Sequence, residues 1–200
     1  MSDHYYSEKP SVESSRRNWE VDLRGRKMSF TSDAGVFSKK EVDFGSRLLL
    51  DYYLFPEKSG KILDVGCGYG TIGLTLAKEK PDWEFTLIDI NERALELSKL
   101  NAELNKVENV TVKKSDLLSE VKEEKFASIL SNPPIRAGKK VVHQLFEEAC
   151  NCLEDCGELW IVIQKKQGAP SALEKLKTLF NEVTVEKKSK GYYIIKAKKC

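Results

Sequence analysis

LDVGCGYGTIG, residues 63–73, is the stretch whose reading decides the fold. It follows from KILDVG (61–66), an apolar, β-branched run that reads as a buried strand, and it leads into a helix predicted over Thr71 to Glu79. Three glycines, Gly66, Gly68 and Gly70, fill the turn between them. Glycines there permit positive φ and bring the backbone close to a ligand lying at the helix N-terminus. Dinucleotide enzymes use G-x-G-x-x-G at this place, but position 71 is Thr and the third glycine comes at 70. Asp64 stands two residues before the first glycine, where a carboxylate repels a pyrophosphate but not a cation.

Outward from that turn, strands and helices alternate. EFTLIDI (84–90), NVTVKKSD (109–116), KFASILSN (125–132) and GELWIVIQ (157–164) read as further strands. Between them, NERALELSKLNAELN (91–105) places Ala94, Leu97, Leu100 and Leu104 at helical spacing, and KKVVHQLFEEACNCL (139–153) is a second helix. SALEKLKTLF (171–180) reads as a helix opened by Pro170 and a Ser171/Glu174 capping box. EVTVEKK (182–188) and YYIIKAKK (192–199), joined around Lys190–Gly191, close the chain as a hairpin. The pattern predicts a doubly wound α/β domain with a mostly parallel seven-stranded sheet and an antiparallel last strand, over residues 30–200. Residues 1–29 are polar, without apolar periodicity, and are expected to form an irregular arm or lid.

Composition narrows the class. With 40% hydrophobic and 32% charged residues, the 200-residue chain reads as soluble and globular, and no apolar run approaches the ~20 residues of a membrane-spanning helix. The first twenty residues lack the apolar centre of a secretory signal, so a cytoplasmic protein is expected. Five cysteines without framework spacing, three of them in CNCLEDC (150–156), read as reduced thiols, and with only His4 and His143 no metal site is expected. Lysines concentrate after residue 187, with six and no acid from Lys187 to Cys200; residues 16–27 hold five basic and two acidic groups. If these ends meet they form a phosphate-attracting patch; otherwise they are solvated edges protected against strand pairing.

Acids end successive strands: Asp64, Asp89 and Asp116. At the carboxyl edge of a parallel sheet, Asp89 can take both hydroxyls of a ribose. The fourth strand ends in Asn132-Pro133-Pro134, a stiff, carbonyl-rich corner.

On these residues the chain resembles a class I S-adenosylmethionine-dependent methyltransferase. The resemblance implies S-adenosyl-L-methionine as cofactor, with Asp64 and the Gly66, Cys67, Gly68 and Gly70 loop at its methionine part. It implies Asp89 and Ile90 at the ribose, and Asp116 with the Leu117 amide at the adenine. Asn132 then faces the sulfonium methyl. An exocyclic amine conjugated to a ring has a delocalised lone pair, and fixed acceptors for its two N–H groups favour the geometry of attack. Asn132 Oδ1 and the Pro133 carbonyl, the latter with no competing donor expected, suit that positioning role. This N-P-P corner resembles the amino-methyltransferase branch, whose targets are base amines and glutamine amides. Carbon methylation of pyrimidines needs a cysteine nucleophile, and none lies beside NPPIRAGK.

The segment FTSDAGVFSKKEVDFGSRLLL (30–50), with NPPIRAGK, resembles the small-subunit ribosomal RNA guanine-N2 methyltransferases. In that group the segment matching Gly35–Ser38 closes over the cofactor. Ile135 and Arg136 stand where the group has Phe-His. Substrate contacts are expected from Pro134, Ile135, Arg136 and Phe37, with Phe37, Tyr192 or Tyr193 as substitutes for the missing ring. The larger members carry an additional domain before the catalytic one. Recognition of RNA, ribosomal RNA or the small subunit is therefore expected from the arm, the basic C-terminal strands or a partner, by a monomer. A glutamine-N5 methyltransferase of a translation factor and a non-catalytic cofactor- or RNA-binding module are the alternatives.

Overall fold

A computed structural model describes residues 12–38 and 41–199; the first eleven residues, which include His4, and Cys200 lie outside the described residues. The elements run β1 (Arg17–Leu23), β2 (Arg26–Ser32), α1 (Phe44–Tyr52), β3 (Lys61–Val65), α2 (Thr71–Glu79), β4 (Glu84–Asp89), α3 (Glu92–Leu104) and β5 (Val110–Lys114). They continue with β6 (Phe126–Ser131), α4 (Lys139–Cys152), β7 (Leu153–Gln164), α5 (Ala169–Leu179), β8 (Glu182–Ser189) and β9 (Tyr192–Lys198).

The seven-stranded sheet has the order β5-β4-β3-β6-β7-β9-β8. Its first five members in that order pair in parallel, and β9 inserts antiparallel between β7 and β8. Strand β3 sits inside because its sequence is apolar on both faces. Ile62 packs with Leu49, Leu74 and Leu97 under α1, α2 and α3, while Leu63 packs with Phe146 and Leu176 under α4 and α5. Both faces of the sheet are thus covered, as its near-continuous apolar strands require. Among the described residues, no helix is long and apolar enough to cross a membrane.

Three expectations are corrected. The expected arm of residues 1–29 is not irregular from Arg17 onward: β1 and β2 form an antiparallel hairpin that runs on to Ser32, with Leu23, Met28 and Phe30 buried. The apolar stripe on α3 is also incomplete, because Leu104 is 50% exposed while Asn101 and Asn105 are buried. Asn101 Oδ1 accepts Thr31 N–H at 2.7 Å and its Nδ2 donates to Thr31 O at 2.9 Å; Asn105 does the same for Ser29 N–H and O, at 2.9 and 2.6 Å. Two asparagine side chains therefore complete the open edge of β2 as a third strand would. Finally, α5 begins at Ala169 behind Gly168, with no side-chain cap. Ser171 instead hydrogen-bonds His143 Nε2 at 3.2 Å and joins α5 to α4.

Candidate active site

The carboxyl ends of β3, β4 and β6, with the loop after β5, open onto a cleft of about 390 Å³. Its floor is the glycine loop. Gly66 and Gly68 have φ of 72° and 57°, and a Cβ placed on either would meet nothing within 4 Å, so bare backbone faces open space. Gly70 and Gly73 serve packing instead: a Cβ on Gly70 would lie 2.6 Å from Leu74 Cδ1, and one on Gly73 2.7 Å from Leu87 Cγ. Cys67 lines the cleft, but burial pushes its thiol well above the ordinary range, so it fills space rather than reacting.

The acids fall into distinct positions. Asp89 lines the cleft, with Oδ2 accepting Gly68 N–H at 2.8 Å and Oδ1 accepting Asn91 N–H at 2.9 Å. Each oxygen keeps lone-pair capacity for a further donor, which is what two neighbouring ribose hydroxyls need. Burial raises the Asp89 carboxyl above its ordinary value, and backbone N–H groups counter the rise. Asp116, Ile90 and Leu117 also line the cleft. Leu117 is held at φ 48°, and among the described residues its N–H has no protein acceptor. Asp64 lies behind the loop rather than in the cleft lining. Its Oδ2 accepts Gly73 N–H at 2.8 Å and fixes the start of α2, while its buried Oδ1 has no hydrogen-bond partner among the described residues. Burial pushes its pKa up to about 7.

Elsewhere in the cleft lining, Asn132 directly follows the last residue of β6. Its Nδ2 donates to Asp43 Oδ1 at 3.2 Å and to Ser46 Oγ at 3.1 Å. A carboxylate only accepts, so the amide is turned with its NH₂ toward Asp43, and among the described residues Oδ1 is left without a protein donor. Pro133 and Pro134 line the cleft beside it. The Pro133 carbonyl is not free of competition as expected, since Ile135 N–H donates to it at 2.8 Å across an inverse γ-turn centred on Pro134 (φ −74°, ψ 76°). A carbonyl has two lone pairs, so one remains for a substrate.

Ile135 packs partly buried against the core under α4, and Arg136 is exposed on the short turn before α4; neither lines the cleft. Tyr193 likewise packs on that core. Phe37 does line the cleft, at 43% exposure. It belongs to a segment tied over the mouth from several sides: Arg93 Nη1 donates to Ala34 O at 2.7 Å, Asn91 Nδ2 to Gly35 O at 3.0 Å, and Tyr69 Oη to Ser38 O at 3.1 Å. Asp43, Ser46 and Tyr69 were not foreseen. The one sequence signal was Asp43 ahead of an apolar run, as an N-cap, and it does cap α1 through Ser46 N–H at 3.0 Å.

Bare glycine backbone beneath open space and a half-satisfied carboxylate at the next strand end fit an adenosine ligand. The strand order, with β9 slotted antiparallel between β7 and β8, is that of the class I S-adenosylmethionine-dependent methyltransferases. The chain belongs to the methyltransferase small domain family, whose model matches residues 27–196. Uncharacterized protein YbxB of Bacillus subtilis (strain 168) is 64% identical over the full length of both chains. Ribosomal RNA small subunit methyltransferase C of Vibrio vulnificus (strain CMCP6) is 36% identical over 80% of this chain and 47% of its own. The T. thermophilus 16S rRNA N2 G1207 methyltransferase (RsmC), solved with AdoMet and guanosine, superimposes with a TM-score of 0.84 at 25% identity, over 96% of this chain and 52% of that one. This chain thus spans about half the length of the relatives named as ribosomal RNA methyltransferases.

Proposed function

We propose that this chain transfers a methyl group from S-adenosylmethionine to an exocyclic amine, N2 of a guanine in small-subunit ribosomal RNA. The observation that carries the reading is the fixed amide of Asn132, whose NH₂ is occupied by Asp43 and Ser46 while its oxygen is left for a donor. When bound, the cofactor supplies an electrophilic methyl on a sulfonium centre. Bare Gly66 and Gly68 receive its amino-acid end, Asp89 its ribose and Asp116 with Leu117 its adenine. Asn132 Oδ1 and the remaining lone pair of Pro133 O accept the two N–H groups of the amine, holding it for in-line attack. Neither is a strong base, so the amine loses its proton after transfer, to water. Val36, Phe37 and Ser38 wall the same cleft on the side of the segment that arches over its mouth.

The named activities of the ribosomal RNA relatives, and the complex of the T. thermophilus enzyme with AdoMet and guanosine, favour guanine N2 over other amines. A monomer acting in the cytoplasm, where ribosomal subunits are assembled, fits this reading.

The test is transfer of labelled methyl from S-adenosylmethionine to undermethylated small ribosomal subunits and to their free RNA, followed by nucleoside analysis. Label in N2-methylguanosine is expected. It should be absent with Asn132→Ala, whose cofactor affinity stays within a few-fold of wild type. Label in a glutamine amide of a co-purified protein, with none in RNA, would overturn the RNA assignment.

A further inference from the structure

Basic groups at the two ends of the chain do not form one patch. On the hairpin they are largely consumed by internal partners. Arg24 pairs with Glu79 at 2.6 Å, Lys27 with Glu20 at 2.7 Å, and Arg26 approaches Glu79 at 3.9 Å. The lysines of β9 also divide. Because β9 runs antiparallel to β7, Lys198 pairs in register with Glu158, away from the cleft, whereas the Lys190–Gly191 turn lies beyond Gln164, at the cleft end of the sheet.

At that cleft end Lys188 and Lys190 meet aromatic rings rather than carboxylates. Lys165 N–H donates to Gly191 O at 2.8 Å, which binds the turn after β7 to the β8–β9 turn. Four exposed lysines stand at or beside these joined turns: Lys165, Lys166 and Lys190 in them, and Lys188 near the end of β8, its ammonium 4.7 Å from the centre of the Tyr193 ring. Among the described residues none of them has a carboxylate within ion-pairing distance. Lys190 sits at φ 47° in a tight turn that Asn or Gly adopts more readily, with its ammonium 4.8 Å from the centre of the Phe44 ring. Phe44 in turn lies 5.4 Å from Tyr192, both rings partly exposed, and it directly follows Asp43, the partner of Asn132. On the other flank, exposed Arg136, Lys139 and Lys140 lead from the Pro134 corner into α4.

We propose that Lys165, Lys166, Lys188 and Lys190, with the Phe44–Tyr192 ring pair, form the track for the phosphate backbone of single-stranded RNA leading the target nucleotide to Asn132. The proposal rests on the RNA reading above and deepens it by naming the surface. Lysines interleaved with partly exposed rings suit a nucleic-acid strand, whose phosphates need cations and whose bases need flat apolar faces. An acidic protein surface would use the lysines but leave the rings without a role. Arg136, Lys139 and Lys140 take the strand where it leaves the cleft.

The experiment compares the wild-type chain with Lys165→Glu/Lys166→Glu, Lys188→Glu/Lys190→Glu and, as hairpin control, Arg16→Glu/Arg17→Glu. RNA methylation is followed between about 50 and 200 mM salt. Each lysine pair should raise the KM for RNA about tenfold or more, leaving cofactor affinity and melting temperature unchanged. Each should also flatten the log–log salt dependence by about 1.4, from roughly 0.7 per lost contact to a single strand. The hairpin control should behave as wild type. Wild-type KM and salt slope in both lysine pairs, or an effect confined to the hairpin control, would overturn the track while leaving the RNA reading standing. Failure of the wild-type chain to methylate any RNA, with label in protein instead, would overturn both.

Discussion

Asp43 Oδ1 receives two donors at once, Ser46 N–H at 3.0 Å and Asn132 Nδ2 at 3.2 Å. One oxygen therefore caps α1 and sets the orientation of the amide at the end of β6. These two duties can be separated by length and by charge.

Asp43→Ser keeps a capping oxygen, and serine caps about as well as aspartate, but the shorter side chain cannot reach Asn132. Its melting temperature should stay near wild type while kcat falls tenfold or more, an effect of roughly 1.4 kcal/mol on the barrier. Asp43→Asn still offers Oδ1 to both donors and should recover most of the lost kcat. Steady-state kinetics and thermal melts on the same preparations decide it. Full turnover in Asp43→Ser would remove Asp43 from the positioning role.

Asp64 should impose a pH dependence with a defined sign. Burial is the main cause that raises its pKa from 3.8 to about 7; the Gly73 N–H opposes the rise and nearby Asp89 adds to it. Between those values the folded state holds a proton that the unfolded state has released. This contribution to stability is full below the ordinary carboxylate pKa and is lost as pH rises toward about 7. Asp89, raised in the same direction, adds to the slope. Urea unfolding at stepped pH should show the midpoint falling across this window, with a shallower fall in Asp64→Asn. If the wild-type midpoint rises instead, Asp64 is ionised in the fold at lower pH than its burial implies.

The same charge should be felt by the ligand. Ionised Asp64 favours a sulfonium, so affinity for S-adenosylmethionine relative to uncharged-sulfur S-adenosylhomocysteine should increase as pH passes about 7. Titration calorimetry with both ligands at pH values on either side provides the comparison. A constant ratio would mean that the field of Asp64 does not reach the sulfur.

Phe37, 43% exposed on the cleft, is the ring placed to meet a base where Ile135 has turned into the core. Stacking on an aromatic contributes about 1–3 kcal/mol per base. Phe37→Ala should lower kcat/KM for RNA by about fivefold to 150-fold, the equivalent of that range, and Phe37→Tyr should restore it. An unchanged kcat/KM in Phe37→Ala would assign stacking to another residue.

Asn101 makes three buried hydrogen bonds, to Thr31 N and O and to Tyr69 O. Removing it orphans backbone groups at roughly 1–3 kcal/mol each before relaxation. Asn101→Ala should therefore cost about 2–4 kcal/mol in chemical denaturation, whereas Leu104→Ala on the exposed side should cost less than about 1 kcal/mol. Equal costs would mean that the hairpin is not held through its edge.

Much was legible because it depends on near neighbours in the chain. Alternation and helical spacing report burial directly, which is why the order of β3 to β9, the bounds of α2 and the antiparallel last strand followed from pattern alone. The glycine loop and Asn132-Pro133-Pro134 carry their backbone requirements in their residue types. Misread elements broke that link. Asn101 and Asn105 look like solvent-facing positions because polarity usually means exposure, yet β2 needed their amides.

The sequence by itself determined the layer architecture, the place of the cleft at the strand ends and the chemical character of its floor. Only the tertiary structure brought Asp43 to Asn132 across 89 residues, placed Asp64 behind the loop, turned Ile135 toward the core and left a group of lysines at one end of the sheet with no carboxylate partner among the described residues. The physical reason is that a residue's type fixes what it can donate, accept or bury, while its partner is fixed by chain reversals that bring distant segments into contact.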